Sequence, residues 1–367
     1  MKTLTSLLFG MFFLLACQQE EKQKNKIQNF EEFNWTLVSS FSKSLPTFWE
    51  TIEGFSNNVS ILTDGNVNIR VFQPNELVGA LEVFDAVQQG SAEMGVSAGA
   101  YYIGKNSSFI FDTGVPFGMI PRQQNAWLYE GGGLELLQKV YLKSDIQYFP
   151  IGNTGTQMAW SNEEIKTPDD LIGLRFRIPG LGGQVMSKMG VSVQMLAGGE
   201  IYSGLEQGVV DAAEFIGPSD DERMGFNKVA QYYYSPGWWE PGSTIALYIN
   251  KDAWLKLPEK YKRVIEIAAK EANVRMLAKY DLLNSEALTR LKETGTELKT
   301  FSPEILTKAS RETDFLLEEF AGQNSDFNEI YSSWIDFKQK SLDWYSSNDF
   351  PMFEFLVQKN NTINSTR

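Results

Sequence analysis

The sequence predicts an α/β fold of two similar α/β domains, with one long domain-bridging helix and a C-terminal helical extension. The β-α-β-α-β order between Trp35 and Val96 marks the first domain, and a helix exit of the same grammar far downstream marks the second. An apolar helical stripe that opens at Pro258 and continues to Leu291 supplies the bridge. At 367 residues the chain exceeds what one core fills, and 43% hydrophobic residues are ample for two.

At the N-terminus, Lys2 precedes the apolar run Leu7 to Leu15, and the small Ala16 sits just before Cys17. That is the pattern of a secretory signal. Its end, Leu14-Leu15-Ala16-Cys17, resembles the bacterial lipobox, in which the cysteine is lipidated and becomes the new first residue; a plain signal peptide or a core segment with a chance cysteine is the alternative. On the lipobox reading, 1–16 is removed, Cys17 carries the membrane anchor, and 17–33 is a tether, because residues 18–32 are polar and aperiodic. No other run is long and apolar enough to span a bilayer.

Trp35 to Val38 then reads as a strand, Pro46 to Leu62 as a helix, Val67 to Phe72 as an alternating strand, Leu77 to Gln88 as a helix and Met94 to Val96 as a buried strand. This order implies a parallel sheet covered by helices. Val87-Gln88-Gln89-Gly90-Ser91-Ala92-Glu93-Met94 and Leu205-Glu206-Gln207-Gly208-Val209-Val210-Asp211-Ala212 both end a helix at glycine and enter a small-residue strand, as equivalent places in two domains would. Between them Thr167 caps a short helix with Pro168 at its first position. The strand Leu174 to Ile178 follows, with Leu174, Phe176 and Ile178 on one face and Arg175 and Arg177 on the other.

Thr244 to Asn250 is another strand. The helix opened by Pro258 carries Tyr261, Ile265, Ala268, Ala272, Met276, Tyr280, Leu283, Ala287 and Leu291 on one stripe and would extend about 50 Å. Two more helices complete the tail, the first capped by Ser302-Pro303, the second with Phe327, Ile330, Trp334, Phe337 and Trp344 on one side, either as core or as a homodimer surface. The expected division is 34–150 plus 243–300 as the first domain, 151–242 as the second and 301–367 as the helical segment.

Histidine is absent and Cys17 is the single cysteine, which removes His-based acid/base chemistry, cysteine nucleophiles and ordinary His/Cys zinc sites. A net charge of -13 repels phosphate backbones, so nucleic acid is not an expected partner. The stretch from Arg177 to Glu240 instead gathers an arginine on a strand, Glu214 and Glu240 near turns, and the aromatic turn Pro236-Gly237-Trp238-Trp239-Glu240-Pro241-Gly242. Carboxylates gather in a buried cleft when something positive is held between them, because an unpaired buried charge is costly. A binding site is therefore expected before an enzyme.

Lys166-Thr167-Pro168-Asp169-Asp170-Leu171-Ile172-Gly173-Leu174-Arg175-Phe176-Arg177, the stretch 205–212 and Pro236-Gly237-Trp238-Trp239-Glu240 resemble the solute-binding subunits of TRAP (tripartite ATP-independent periplasmic) transporters. Ala213-Glu214-Phe215-Ile216-Gly217-Pro218 and the Trp-Trp-Glu turn resemble the family's 2-oxoacid and hydroxyacid branch. The resemblance runs from about Trp35 to about Asn348. It implies the two-domain fold of periplasmic binding proteins, closing on a pyruvate-like or lactate-like monocarboxylate and delivering it to an ion-driven membrane permease. It further implies that Arg177 pairs with the solute carboxylate, and that a metal cation is held by Gln157, Glu214, the main-chain carbonyl of Phe215 and Glu240. Phe215 stands where that branch has tryptophan, which keeps the carbonyl but alters the packing over the solute.

Oxygen-only ligands suit a hard cation such as Na⁺ or Ca²⁺. Two glutamates and a monocarboxylate bring three negative charges against Arg177 and the metal, a sum that Ca²⁺ balances and Na⁺ leaves one short. Tyr101, at a strand exit, and Asn153, on the turn crossing between domains, are further candidates to touch the solute. Trp238 and Trp239 are either packing or solute contacts, and Asp220, Asp221 and Glu222 read as a solvated helix start. Two rival functions stay open: a surface glycosidase using Glu214 and Glu240 as acid and nucleophile, and a lipoprotein that senses its ligand without feeding transport.

Overall fold

The computed structural model describes residues 31–365. The signal 1–16, Cys17 and most of the tether lie outside the described residues. Phe33, expected in the tether, already begins the first strand.

Eleven strands occur among the described residues: β1 (Phe33–Ser39), β2 (Val67–Phe72), β3 (Met94–Ser97), β4 (Ile146–Asn153), β5 (Ala159–Ser161), β6 (Arg175–Arg177), β7 (Ser192–Gln194), β8 (Ala212–Glu214), β9 (Tyr232–Ser235), β10 (Thr244–Asn250) and β11 (Glu297–Thr300). They form two sheets, ordered β2-β1-β3-β10-β4 and β11-β9-β5-β8-β6-β7. The helix Pro46–Leu62 shows how locally the pattern is written: proline opens it, and Trp49, Ile52, Phe55 and Val59, spaced by three and four, are its buried face. It ends at Thr63, whose hydroxyl donates to the Val59 carbonyl at 2.7 Å and accepts from the Val67 amide at 3.1 Å, handing the chain to β2.

The two predicted helix exits are the same structure twice. Gly90 and Gly208 take the left-handed φ of 73° and 66° that glycine adopts without strain. In each, two successive amides beyond the glycine donate to one helical carbonyl, that of Ala86 or of Gly204. The strands that follow, β3 and β8, occupy matching positions. β2, β1 and β3 run parallel and then meet β10 and β4 antiparallel, as β7, β6 and β8 run parallel and then meet β5 and β9 antiparallel.

The first sheet is thus mixed, whereas the sequence order implied a parallel one. β10 is the reason. It arrives directly from the other sheet, without a covering helix to turn it round, and inserts between β3 and β4. β5 makes the reciprocal insertion, between β8 and β9. Two segments, 154–158 and 236–243, therefore carry the chain across. β11 joins the second sheet beside β9, so the segment 243–300 contributes to both sheets.

The helix Glu259–Glu293 is unbroken over 35 residues. Its stripe is buried from Tyr261 to Leu291 with Leu283 only half-buried. It packs on β4 and the Pro46–Leu62 helix of one half and on the Pro218–Arg223 helix of the other, which makes it the expected bridge. Three helices follow rather than two: Pro303–Gln323, capped by the Ser302 hydroxyl, Ser325–Ser347 and Asp349–Ser365. Phe327, Ile330 and Trp334 are core, but Trp344 is 57% exposed because the chain has run past the body it packs on. The helix predicted from Leu77 starts only at Val83, since Asn75 at positive φ and the Glu82 carboxylate bound to the Gly79 amide hold a turn there.

Candidate functional site

β6 and β8 are parallel neighbours, so their C-terminal ends open on one edge, and there Arg177 and Glu214 meet. Both are 1% exposed, and they form an ion pair. The two crossing segments pass over the same edge and bring Gln157 and Glu240. The Gln157 amide donates to Glu240 Oε2 at 2.7 Å, and the Ser243 hydroxyl donates to the same oxygen. Tyr101, from the turn after β3, and Phe215 complete a small cavity of about 30 Å³ shared with these four residues. Outside it lies a groove of about 470 Å³, and Phe41, Tyr101 and Phe215 line both spaces.

Arg177 is heavily engaged. Its Nε donates to the Leu196 carbonyl at 3.0 Å, its Nη1 to the Glu214 carbonyl at 3.0 Å and to the Glu214 carboxylate, and its guanidinium lies 5.7 Å from the Phe215 ring centre. Its Nη2 and Glu214 Oε2 are buried without a hydrogen-bond partner. One orphaned donor and one orphaned acceptor at the same cavity fit an acid and a cation taken together. Among the described residues no three acidic, histidine or cysteine side chains cluster as a metal site. A cation held here would therefore need neutral oxygens, and the donor set is all oxygen.

The aromatic turn serves the site from behind. Trp239 is 1% exposed, and its indole N–H donates at 2.9 Å to Gln157 Oε1, fixing which end of the amide faces Glu240. Trp238 stacks on Phe117 at 5.1 Å. Neither tryptophan lines the cavity. Gly237 is required by proximity, since a Cβ there would lie 2.1 Å from the Gln157 carbonyl.

Asn153, a candidate to touch the solute, is 0% exposed and spent on the crossing turn: it donates to the Gly242 carbonyl and Thr244 hydroxyl at 3.4 and 3.3 Å and accepts from the Gly155 amide at 2.9 Å. It does not line the cavity. Asp220 and Asp221 are buried, not a solvated helix start; only Glu222 keeps that character, in an exposed pair with Arg290. Asp221 accepts from Trp160 Nε1 at 3.0 Å, the Tyr233 hydroxyl at 2.8 Å and the amides of Ile216 and Gly217 at 3.4 and 3.2 Å. It thereby shapes the loop that carries Glu214 and Phe215. Ser243 and Asp221 escaped sequence reasoning because nothing local distinguishes them.

Burial drives the electrostatics. It holds the Glu214 carboxyl well above the ordinary range, with Arg177 opposing and Glu240 adding. Burial also lifts Glu240 to about 7 against hydrogen bonds from Ser243 and Gln157 and the charge of Arg177. Asp112, bound by Tyr141, Thr113 and the Gly99 amide, and Asp221 are likewise lifted by burial to about 7, and Asp220 to about 6. Each folded value lies above the unfolded one of ~3.9, so between those pH values the folded state binds more protons. Stability from these groups is complete below the unfolded values and is lost as pH rises through 6 to 7. Urea unfolding without acid or divalent cation should accordingly give greater stability at mildly acidic than at mildly alkaline pH, by on the order of 2 kcal/mol. A higher midpoint on the alkaline side would contradict this.

A family profile described as bacterial extracellular solute-binding protein, family 7 (DctP), matches residues 38–324. The chain belongs to that family of extracytoplasmic solute receptors, which serve transport and are not enzymes. It is 47% identical over 343 residues, 93% of this chain and 94% of the relative, to the monocarboxylate 2-oxoacid-binding periplasmic protein of Nostoc sp. PCC 7120. A TRAP transporter solute-binding protein of Bordetella bronchiseptica RB50 superposes with a TM-score of 0.89 at 40% identity, over 91% of this chain and 100% of that one; it is a mixed-occupancy dimer with calcium and picolinate in one active site. TRAP periplasmic solute-binding proteins of Colwellia psychrerythraea, holding calcium and pyruvate, and of Pseudoalteromonas atlantica T6c, holding sodium and pyruvate, each superpose at 0.86 over 88% of this chain and 99% of theirs, with 36% and 34% identity. The glycosidase alternative is thereby set aside.

Proposed function

We propose that this chain captures a small 2-oxo or 2-hydroxy monocarboxylate together with Ca²⁺ or Na⁺ and delivers it to the membrane permease of a TRAP transporter. The observation that carries this reading is the buried, incompletely partnered Arg177 and Glu214 side by side at one cavity. In it Arg177 receives the solute carboxylate, Tyr101 closes over the solute from the first half, and Gln157, Glu214, the Phe215 carbonyl and Glu240 hold the cation, which supplies positive charge for the solute's oxygens. The relatives' bound pyruvate, picolinate, calcium and sodium support the same assignment. Residues 34–153 with 244–296 form one lobe and 159–235 with β11 the other, and the two close on the solute about the crossing segments 154–158 and 236–243. Lipidation at Cys17 tethers the receptor to a membrane, and the C-terminal helices pair two copies. The exposed Phe350, Met352, Phe353 and Phe355 support that pairing, as does the dimer formed by the Bordetella relative.

A thermal-shift panel tests the reading. With calcium or sodium present, pyruvate or a close homologue at about 100 times its Kd should stabilise the protein by ~2.7 kcal/mol, a rise of several degrees. Stabilisation by dicarboxylates alone, or by no organic acid, would overturn it.

A further inference from the structure

The buried ion pair at the centre of the site bears on how the two ligands depend on each other, given the reading above that an acid and a cation share it. A carboxylate is gripped by two parallel N–H groups of a guanidinium. Arg177 has one nitrogen, Nη2, without a partner; the others are committed to Leu196 and Glu214. Glu214 is in the mirror situation, with Oε1 paired to Arg177 and Oε2 alone. Glu240 is not tied in this way, being held by neutral donors of Gln157 and Ser243.

A cation arriving alone must compete with a buried guanidinium for Glu214 and is repelled by it. An acid arriving alone must compete with Glu214 for Arg177. When both arrive, the partners exchange: the cation takes Glu214, the acid takes Arg177, and no buried charge is left unpaired. We propose that the Arg177–Glu214 pair is an exchange lock that makes binding of acid and cation strongly and positively coupled, so that neither is retained well without the other.

The coupling is measured by titration calorimetry on the whole protein, freed of metal and kept in tetramethylammonium buffer, with calcium chloride and tetramethylammonium pyruvate as the ligands. In the unaltered protein each ligand should tighten the other by the same factor, about 10- to 100-fold. Arg177→Met should lose pyruvate yet bind calcium alone about 10-fold or more tightly than the unaltered protein does, because Glu214 is released and the opposing charge is gone. Glu214→Gln should do the reverse, binding pyruvate without calcium better than the unaltered protein does and gaining nothing from calcium. Circular-dichroism melts establish that each variant is folded, and either variant alone decides the matter. Pyruvate bound with equal affinity with and without calcium, or calcium bound no tighter by Arg177→Met, would remove the lock and leave the acid-receptor reading standing. No binding of any monocarboxylate by the unaltered protein would end both.

Discussion

Arg177→Ala is expected to weaken binding of a 2-oxo monocarboxylate, measured at saturating calcium, by at least about 10²-fold, from the loss of two charge-assisted hydrogen bonds at ~1.5–3 kcal/mol each. The guanidinium is placed for this by β6, by the Leu196 carbonyl on its Nε and by the Phe215 ring beneath it. Arg177→Lys should not restore affinity, since an ammonium cannot hold Leu196, Glu214 and a carboxylate fork in one plane. Exposed Arg175, paired with Asp211 two residues earlier on the same strand, is the internal control. Its replacement should leave the affinity within about 2-fold, because an exposed ion pair contributes ~1 kcal/mol or less and only to stability. An Arg177→Ala protein that binds normally would show that the acid is held elsewhere.

The largest effect on stability is expected from Asp221→Ala. It strips the acceptor from an indole, a phenol and two amides at once, all of them buried, which costs about 3–5 kcal/mol. The melting temperature should fall by roughly 4–7 °C. The Ile216 and Gly217 amides belong to the loop that carries Glu214, so acid affinity should fall with it, whereas a purely structural loss would leave the affinity of the folded fraction unchanged. Asp221→Asn, which keeps one oxygen, should recover part of both losses. A neutral Asp221→Ala would mean that water replaces the carboxylate at no cost.

Elements with their own punctuation were legible in the sequence. Pro46–Leu62, Val67–Phe72 and Thr244–Asn250 start and stop where proline, glycine and alternation say they should, because those signals act over a few residues. The direction of β10 was not legible, because it depends on which end of the sheet the chain re-enters after ninety residues spent elsewhere. The burial of Asp220 and Asp221 was hidden for a similar reason: their partners Tyr280, Trp160 and Tyr233 are twelve to sixty-one residues away. At the site, alternation alone put Arg175 and Arg177 on one face and could not separate them; family resemblance singled out Arg177. Asn153 was legible as part of the crossing turn, but not the hydrogen bonds it makes there to Gly242 and Gly155, because Gly242 lies eighty-nine residues on.

The exchange of β5 and β10 between the sheets has a consequence for how the molecule is made. Among the described residues β4 pairs with no strand but β10, which also separates it from β3, so the first sheet stays open until residue 250 has been synthesised. Such long-range closure is slow. Neither half closes its sheet from its own contiguous stretch of chain, so the two mature together, late in the polypeptide.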